Sequence, residues 1–287
     1  MSSNNYKKAL SNLKFSTDNI KGSNTLIKLF CCLIIVVLIC VIIGNYAFKN
    51  GHLTCDHYVF NTYLYVILAI LLVFIIILLN DQTGIFNSLL NLMFSGNLVQ
   101  SIISFIIFII IIAGLTYALL KIDPSNILAS NTVWLLLILS LGIILIPTII
   151  LGRLTDVVGI AGIATLAITV LVGLLGYYFG DKIVTFNWDF YLNIALFGLI
   201  ILIFISPLFI TSIEGMLSFF YIISIILLII FILLLLSNHK QLKENADKCI
   251  DGQSVPNYPV ESYGLFLKII NIFKELINIL AIRKLRK

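Results

Sequence analysis

Lys268, Asn271, Glu275 and Asn278 step by three and four residues, so on a helix they form one polar stripe through an otherwise apolar segment, 263–282. Lys268 and Glu275 then lie two turns apart, a basic and an acidic group able to share a water-filled pocket if the stripe faces the inside of a bundle. The same stripe suits a helix lying at the lipid surface, and the composition fits both placements. Upstream, Ser237-Asn238-His239-Lys240-Gln241 closes a long apolar run and brings His239 into the group of residues that could do chemistry.

Other candidates are sparser. Gly51-His52-Leu53-Thr54-Cys55-Asp56-His57 holds ligand types that suit zinc, but their crowding is not the spacing of a structural zinc site. It reads as a polar loop, and no metal is expected. The chain has no HExxH, P-loop, GxSxG or dinucleotide fingerprint, so neither an enzyme nor a cofactor is expected. Cys55 and Cys249 fall between apolar stretches; they pair as a disulfide in an oxidising compartment or remain two free thiols. Cys31, Cys32 and Cys40 lie in the first apolar stretch, where free cysteine acts as a small apolar residue. Cys31-Cys32 also suits palmitoylation.

These residues must be positioned by elements that live in lipid. Seven apolar stretches, 26–48, 59–80, 98–120, 131–151, 157–180, 190–213 and 215–236, each reach the length of about 20 residues that carries a helix across a bilayer. The semi-hydrophobic segment 263–282 is an eighth candidate. Almost no ionisable side chain interrupts the seven, although such groups usually mark ion paths and substrate sites in membranes. At 287 residues, 61% hydrophobic and 11% charged, the chain reads as all-α: a polytopic membrane helical bundle of seven strongly apolar spans plus a semi-hydrophobic C-terminal helix. It is expected to form a single membrane domain, 26–282, between basic tails at 1–25 and 283–287. The first stretch has no small-residue cleavage site behind it and reads as a retained helix rather than a signal. Gly159, Gly162, Gly173 and Gly176, at helical spacings within 157–180, predict a face where another helix approaches closely.

The net charge of +5 is concentrated at the two ends. With eight spans and a cytosolic N-terminus, the inside segments hold Lys7, Lys8, Lys14, Lys21, Lys28, Arg153, Arg283, Lys284, Arg286 and Lys287. The outside loops hold Lys49, Lys121, Lys182, Lys240, Lys243 and Lys248. That bias places both termini in the cytosol, where basic ends meet anionic lipid. Seven spans, with 263–282 on the surface, would separate the termini. The bilayer is one partner and proteins in or on it are others. Nucleic acid is excluded, because no surface interleaves basic and aromatic residues.

Leu265-Phe266-Leu267-Lys268-Ile269-Ile270-Asn271-Ile272-Phe273 resembles the Leu-Tyr-Leu-Asp-Ile-Ile-Asn-Leu-Phe pattern that ends the transmembrane Bax inhibitor motif family, which includes Bax inhibitor and Golgi anti-apoptotic protein. Asn238-His239-Lys240-Gln241 is similar to that family's Tyr-Asp-Thr-Gln at the end of the preceding span. Gly159 to Tyr178, followed by Asn187-Trp188-Asp189-Phe190, is a weaker echo of its Ala-rich span and following Asp-Phe. The resemblance implies a seven-helix bundle of an intracellular membrane, endoplasmic reticulum or Golgi, acting in calcium homeostasis and apoptosis regulation. In the family, two aspartates in these motifs form a pH-sensitive pair that gates calcium leak. His239 and Lys268 stand at the matching positions, and neither supplies the oxygens that calcium takes. The resemblance therefore implies the fold without the leak, with His239, Lys268, Glu275 and Asn271 as remnants of an ion site. Two other readings stay open: a non-transporting structural protein of a larger assembly such as a viral inner membrane, and a secondary transporter built on Ser206 with Pro207, Thr165 with Thr169, and Lys268 with Glu275.

Overall fold

The computed structural model describes residues 23–49, 51–94, 98–184, 188–210 and 212–286; most of the basic N-terminal tail, Asn187 and Lys287 lie outside them. The described residues form nine helices and one minimal hairpin. The helices are α1 (Ser23–Tyr46), α2 (Tyr58–Thr83), α3 (Asn87–Phe94), α4 (Leu98–Lys121), α5 (Ile127–Leu154), α6 (Val158–Ile183), α7 (Trp188–Phe209), α8 (Ile213–Ile250) and α9 (Tyr258–Leu285). Between α1 and α2, β1 (Phe48–Lys49) pairs antiparallel with β2 (His52–Leu53).

Among the described residues, five helical segments are long and apolar enough to cross a membrane: Thr25–Tyr46, Tyr58–Thr83, Ile127–Leu154, Val158–Ile183 and Glu214–Ile250. The sequence led us to expect seven. The stretches expected at 98–120 and 190–213 form helices, but their described apolar segments are shorter, Ile106–Lys121 and Trp188–Ile203. α7 stops at Phe209, and Ser212 caps the next helix by accepting from the Gly215 amide at 3.1 Å. α9 is long enough to span but carries the polar stripe, so apolarity alone does not mark it.

The expected loop 237–262 is largely helical. α8 runs on for 38 residues, about 57 Å at 1.5 Å per residue, well beyond a hydrocarbon core of about 30 Å. Lys240-Gln241-Leu242-Lys243-Glu244 are good helix formers, and nothing breaks the helix until Gly252. There the Gly252 amide bonds the Cys249 carbonyl and the Gln253 amide bonds the Lys248 carbonyl, with Gly252 at φ +73°. This is the left-handed stop that glycine takes without strain. Asn257 then caps α9 by accepting from the Val260 amide, and Pro259 occupies its first turn.

The described chain divides into two compact units. One comprises 1–44 with 67–144, the other 45–66 with 145–287. In the first, Cys32 of α1 clusters with Ile75 and Leu78 of α2, flanked by Leu29 and Val36. α3 packs on α4. In the second, α8 is the hub and packs against α9, α6 and α7, while α6 also packs on α9. Tyr258, Phe266, Ile272 and Ile277 of α9 are fully buried, whereas Ile163, Leu166 and Leu171 of α6 and Phe190 and Phe197 of α7 are exposed. Exposed apolar faces around a buried, partly polar helix are what a bundle in lipid requires.

Candidate functional site

The polar groups of the second unit gather at the level where α8 passes from apolar to charged sequence. His239 is the centre, 2% exposed. Its Nδ1 lies 2.7 Å from the Leu235 carbonyl, which can only accept, so Nδ1 carries the hydrogen. Its Nε2 lies 2.5 Å from the Tyr63 hydroxyl, which then donates to it. This is the arrangement of a neutral imidazole with both nitrogens satisfied. The space for the ring comes from α6: a Cβ at Gly173 would stand 3.1 Å from His239 Nε2, and one at Gly176 2.6 Å from His239 Cβ and 2.8 Å from the Leu236 carbonyl. Gly180 repeats this one turn on, where a Cβ would meet Lys240 Cβ at 2.9 Å.

The small-residue face is therefore narrower than the spacing led us to expect. Gly173 and Gly176 lie against α8, but Gly159 and Gly162 have nothing within 4 Å of where a Cβ would be. The contact begins only past the middle of α6, and the earlier glycines are on open surface. Gly180, which the sequence reading passed over, continues the same three- and four-residue spacing and was there to be found.

The stripe on α9 does not act as one site. Glu275 is 1% exposed and finds its partners on its own helix: Lys274 Nζ at 3.5 Å and the donating Asn278 Nδ2 at 3.2 Å. Asn271 Nδ2 donates to the Leu267 carbonyl at 2.7 Å. Lys268 is placed differently, within electrostatic reach of Asp189 at the head of α7 and Glu261 at the head of α9. Both carboxylates are held by neighbouring amides or hydroxyls. Asp189 Oδ2 accepts from Ser237 Oγ at 2.8 Å and Gln241 Nε2 at 2.7 Å, and Glu261 Oε1 accepts from Asn245 Nδ2 at 2.7 Å. The shared Lys268–Glu275 pocket is thus replaced by two separate clusters.

The loop before α2 is fastened at the same end. Cys55 and Cys249 form a disulfide with Cα atoms 5.6 Å apart. The Tyr258 hydroxyl donates to the Thr54 carbonyl and accepts from Asn61 Nδ2, which also reaches the Tyr46 and Asp56 carbonyls at 3.1 and 3.0 Å. Lys243 pairs with Asp181 at 3.5 Å, and Lys240 donates to the Val184 carbonyl at 3.0 Å while lying 3.7 Å from Glu244. At the opposite end Lys284 donates to the Asp156 carbonyl at 3.3 Å, and Arg286 bonds Ser218 and lies over the Tyr221 ring. Among the described residues, no group of three or more His, Cys, Asp or Glu is placed to hold a metal ion. The His52–His57 loop supplies β2 of the hairpin and the disulfide cysteine Cys55.

A family model described as inhibitor of apoptosis-promoting Bax1 matches residues 55–284. The match takes in the disulfide, the His239 cluster and all of α9 but its last residue, and it leaves α1 outside. No curated protein and no solved structure matches.

Proposed function

Because the chain belongs to the Bax inhibitor family, we propose that it is a Bax-inhibitor-type protein of an intracellular membrane in which the cation site is closed by nitrogen side chains. The observation that carries this reading is His239. It is buried, satisfied at both ring nitrogens, and offers no oxygen to a divalent cation. Lys268 acts in the same sense, because its ammonium offsets the charge of Asp189 and Glu261, the carboxylates in its reach. A cation approaching this level of the bundle meets carboxylates already held by Ser237, Gln241 and Asn245 rather than a free carboxylate pair.

Two independent signals support one orientation. A disulfide persists in an oxidising compartment, which supports a non-cytosolic side for Cys55, Cys249 and the loop 251–257. Lys240 and Lys243 at that end pair with Glu244 and Asp181, whereas the opposite end carries Arg283, Lys284 and Arg286, as a cytosolic face does. On this reading both termini are cytosolic. A protease site placed after Gly252 is cut only from the non-cytosolic side of sealed vesicles; cleavage from the cytosolic side would reverse the assignment.

The functional test is calcium release from liposomes holding the purified protein, compared with His239→Asp combined with Lys268→Asp. The wild type is silent and the double variant leaks in a pH-dependent way. A leaking wild type would refute the closed site. If neither leaks, the chain is a structural membrane component held by protein partners, and an ion path is not its function. A carrier reading gains little here, since Thr165 Oγ1 donates to the Ala161 carbonyl and Ser206 Oγ to the Ile203 carbonyl, both within their own helices.

A further inference from the structure

Two ties join the start of α2 to α8. At the inner level the Tyr63 hydroxyl, in the second turn of α2, donates to His239 Nε2. At the outer level Cys55, just before α2, is bonded to Cys249, which lies ten residues beyond His239 on α8. That interval is about 15 Å of helix. Two ties between the same pair of elements support each other, because while one is closed the groups of the other stay at high effective concentration. The same loop is also held by weaker bonds. Tyr258 donates to the Thr54 carbonyl and accepts from Asn61, and Tyr58 is hydrogen-bonded to Glu261. These keep the loop near α8 and α9 when the disulfide is cut, so reduction loosens this end without dismantling it.

The disulfide is open to attack from one side. Cys249 is 2% exposed, whereas Cys55 is half-buried in a loop whose neighbours His52, Asp56 and His57 are exposed. Access decides which sulfur a thiolate attacks, and here it favours Cys55. The attacking thiolate forms a mixed disulfide with Cys55, and Cys249 leaves as a thiolate that takes up a proton. The second thiol of the reductant then attacks its own sulfur in the mixed disulfide. Cys55 is released as a thiol, and the reductant leaves as its disulfide, having given up two electrons.

We infer that Cys55–Cys249 is a redox latch over the His239 site, opened through Cys55 by a dithiol reductant, and that opening it loosens the Tyr63–His239 contact. The latch rests on the proposed role of the His239 site but not on whether that site conducts. Calcium leak from the oxidised wild type would therefore refute the closed site and leave the latch standing.

The test uses the full chain in nanodiscs, with dithiothreitol as the dithiol and diethylpyrocarbonate as a footprint of accessible neutral imidazoles. In the oxidised protein His239 is slow to react, while the exposed His52 and His57 react in both states and serve as the reference. Reduction raises the His239 rate about fivefold or more, the change that goes with losing one hydrogen bond, and reoxidation reverses it. Cys55→Ser combined with Cys249→Ser reacts like the reduced wild type and ignores dithiothreitol. With limiting glutathione, peptide mapping finds the mixed disulfide on Cys55. An unchanged His239 rate on reduction, a response to dithiothreitol in the double variant, or a mixed disulfide on Cys249 would each overturn the latch. Loss of native tryptophan fluorescence on reduction would do the same, since the bond would then be a structural staple only.

Discussion

Replacing Gly176 with alanine tests how tightly α6 and α8 are joined. The new Cβ would stand 2.6 Å from His239 Cβ and 2.8 Å from the Leu236 carbonyl oxygen. Neither obstacle is the tip of a flexible side chain: one is the first side-chain atom and the other is helix backbone, so no rotamer change relieves the clash. Restoring carbon–carbon contact to about 3.5 Å requires the helices to part locally by roughly 1 Å. That separation also loosens the packing that holds His239 against Tyr63. Overpacking of this kind costs about 1–3 kcal/mol, which is roughly a 5- to 150-fold change in the unfolding equilibrium. The matched control is Gly162→Ala, where nothing lies within 4 Å and the change falls within about 0.5 kcal/mol of wild type. Reversible unfolding by SDS in mixed micelles, followed by tryptophan fluorescence and circular dichroism, reads both variants. If Gly176→Ala unfolds at the same SDS fraction as Gly162→Ala, α6 and α8 are not in contact there and the description of the site fails.

Tyr63→Phe leaves the His239 Nε2 acceptor buried without a donor and destabilises the protein by about 1–3 kcal/mol in the same titration; an unchanged midpoint would mean that water reaches the ring. Cys55→Ser removes a cross-link closing a loop of sequence separation 194, for which chain entropy sets an upper loss of about 5 kcal/mol. Non-reducing peptide mapping recovers the Cys55–Cys249 pair from the wild type, and finding both thiols free would contradict it. Asp189→Ala deprives the buried Ser237 hydroxyl and the Gln241 amide of their acceptor and costs about 1–2 kcal/mol, while Asp189→Asn, which keeps an accepting oxygen, loses less. Gly252→Ala forces a residue with a Cβ to φ +73° and costs about 1 kcal/mol, read as earlier unfolding of the end of α8.

The helical class and the positions of most helices were legible because apolarity and length carry that information directly. Helix ends were not, where the bilayer boundary and the helix boundary part company. Ser237 ends the apolar run of α8 but not the helix, which continues on intrinsic propensity to Ile250. Gly252 was the visible stop signal, and reading polarity as loop hid it. For the same reason α9 begins at its Asn257 cap rather than at 263, and the short α3 was passed over inside a connection. In the site, Gly173 and Gly176 could be nominated from spacing, but spacing could not separate them from Gly159 and Gly162, since only the neighbouring helix does that. The family motif named His239 and Lys268. It could not supply their partners Tyr63 and Asp189, which lie 176 residues from His239 and on another helix from Lys268, respectively. The polar stripe of α9 was read with the right period, yet Glu275 settles on Lys274 and Asn278 because a buried carboxylate is satisfied most cheaply by whatever its own helix presents.

The burial of α9 has a bearing on biogenesis. A helix that carries Lys268, Lys274 and Glu275 partitions poorly into lipid alone, each such residue opposing insertion by up to about 2.5–3.5 kcal/mol at the bilayer centre. Its buried face needs α8 and α6 already in place. α9 follows α6 and α8 in the chain, so it leaves the ribosome after the surfaces it requires have become available. Assembly of this protein is accordingly ordered: the preceding spans enter the membrane on their own hydrophobicity, and the C-terminal helix is admitted by the bundle rather than by the lipid. A chain whose α6–α8 contact is damaged would present an orphaned, semi-polar C-terminal segment, the kind of feature by which membrane quality control distinguishes unfinished proteins from finished ones.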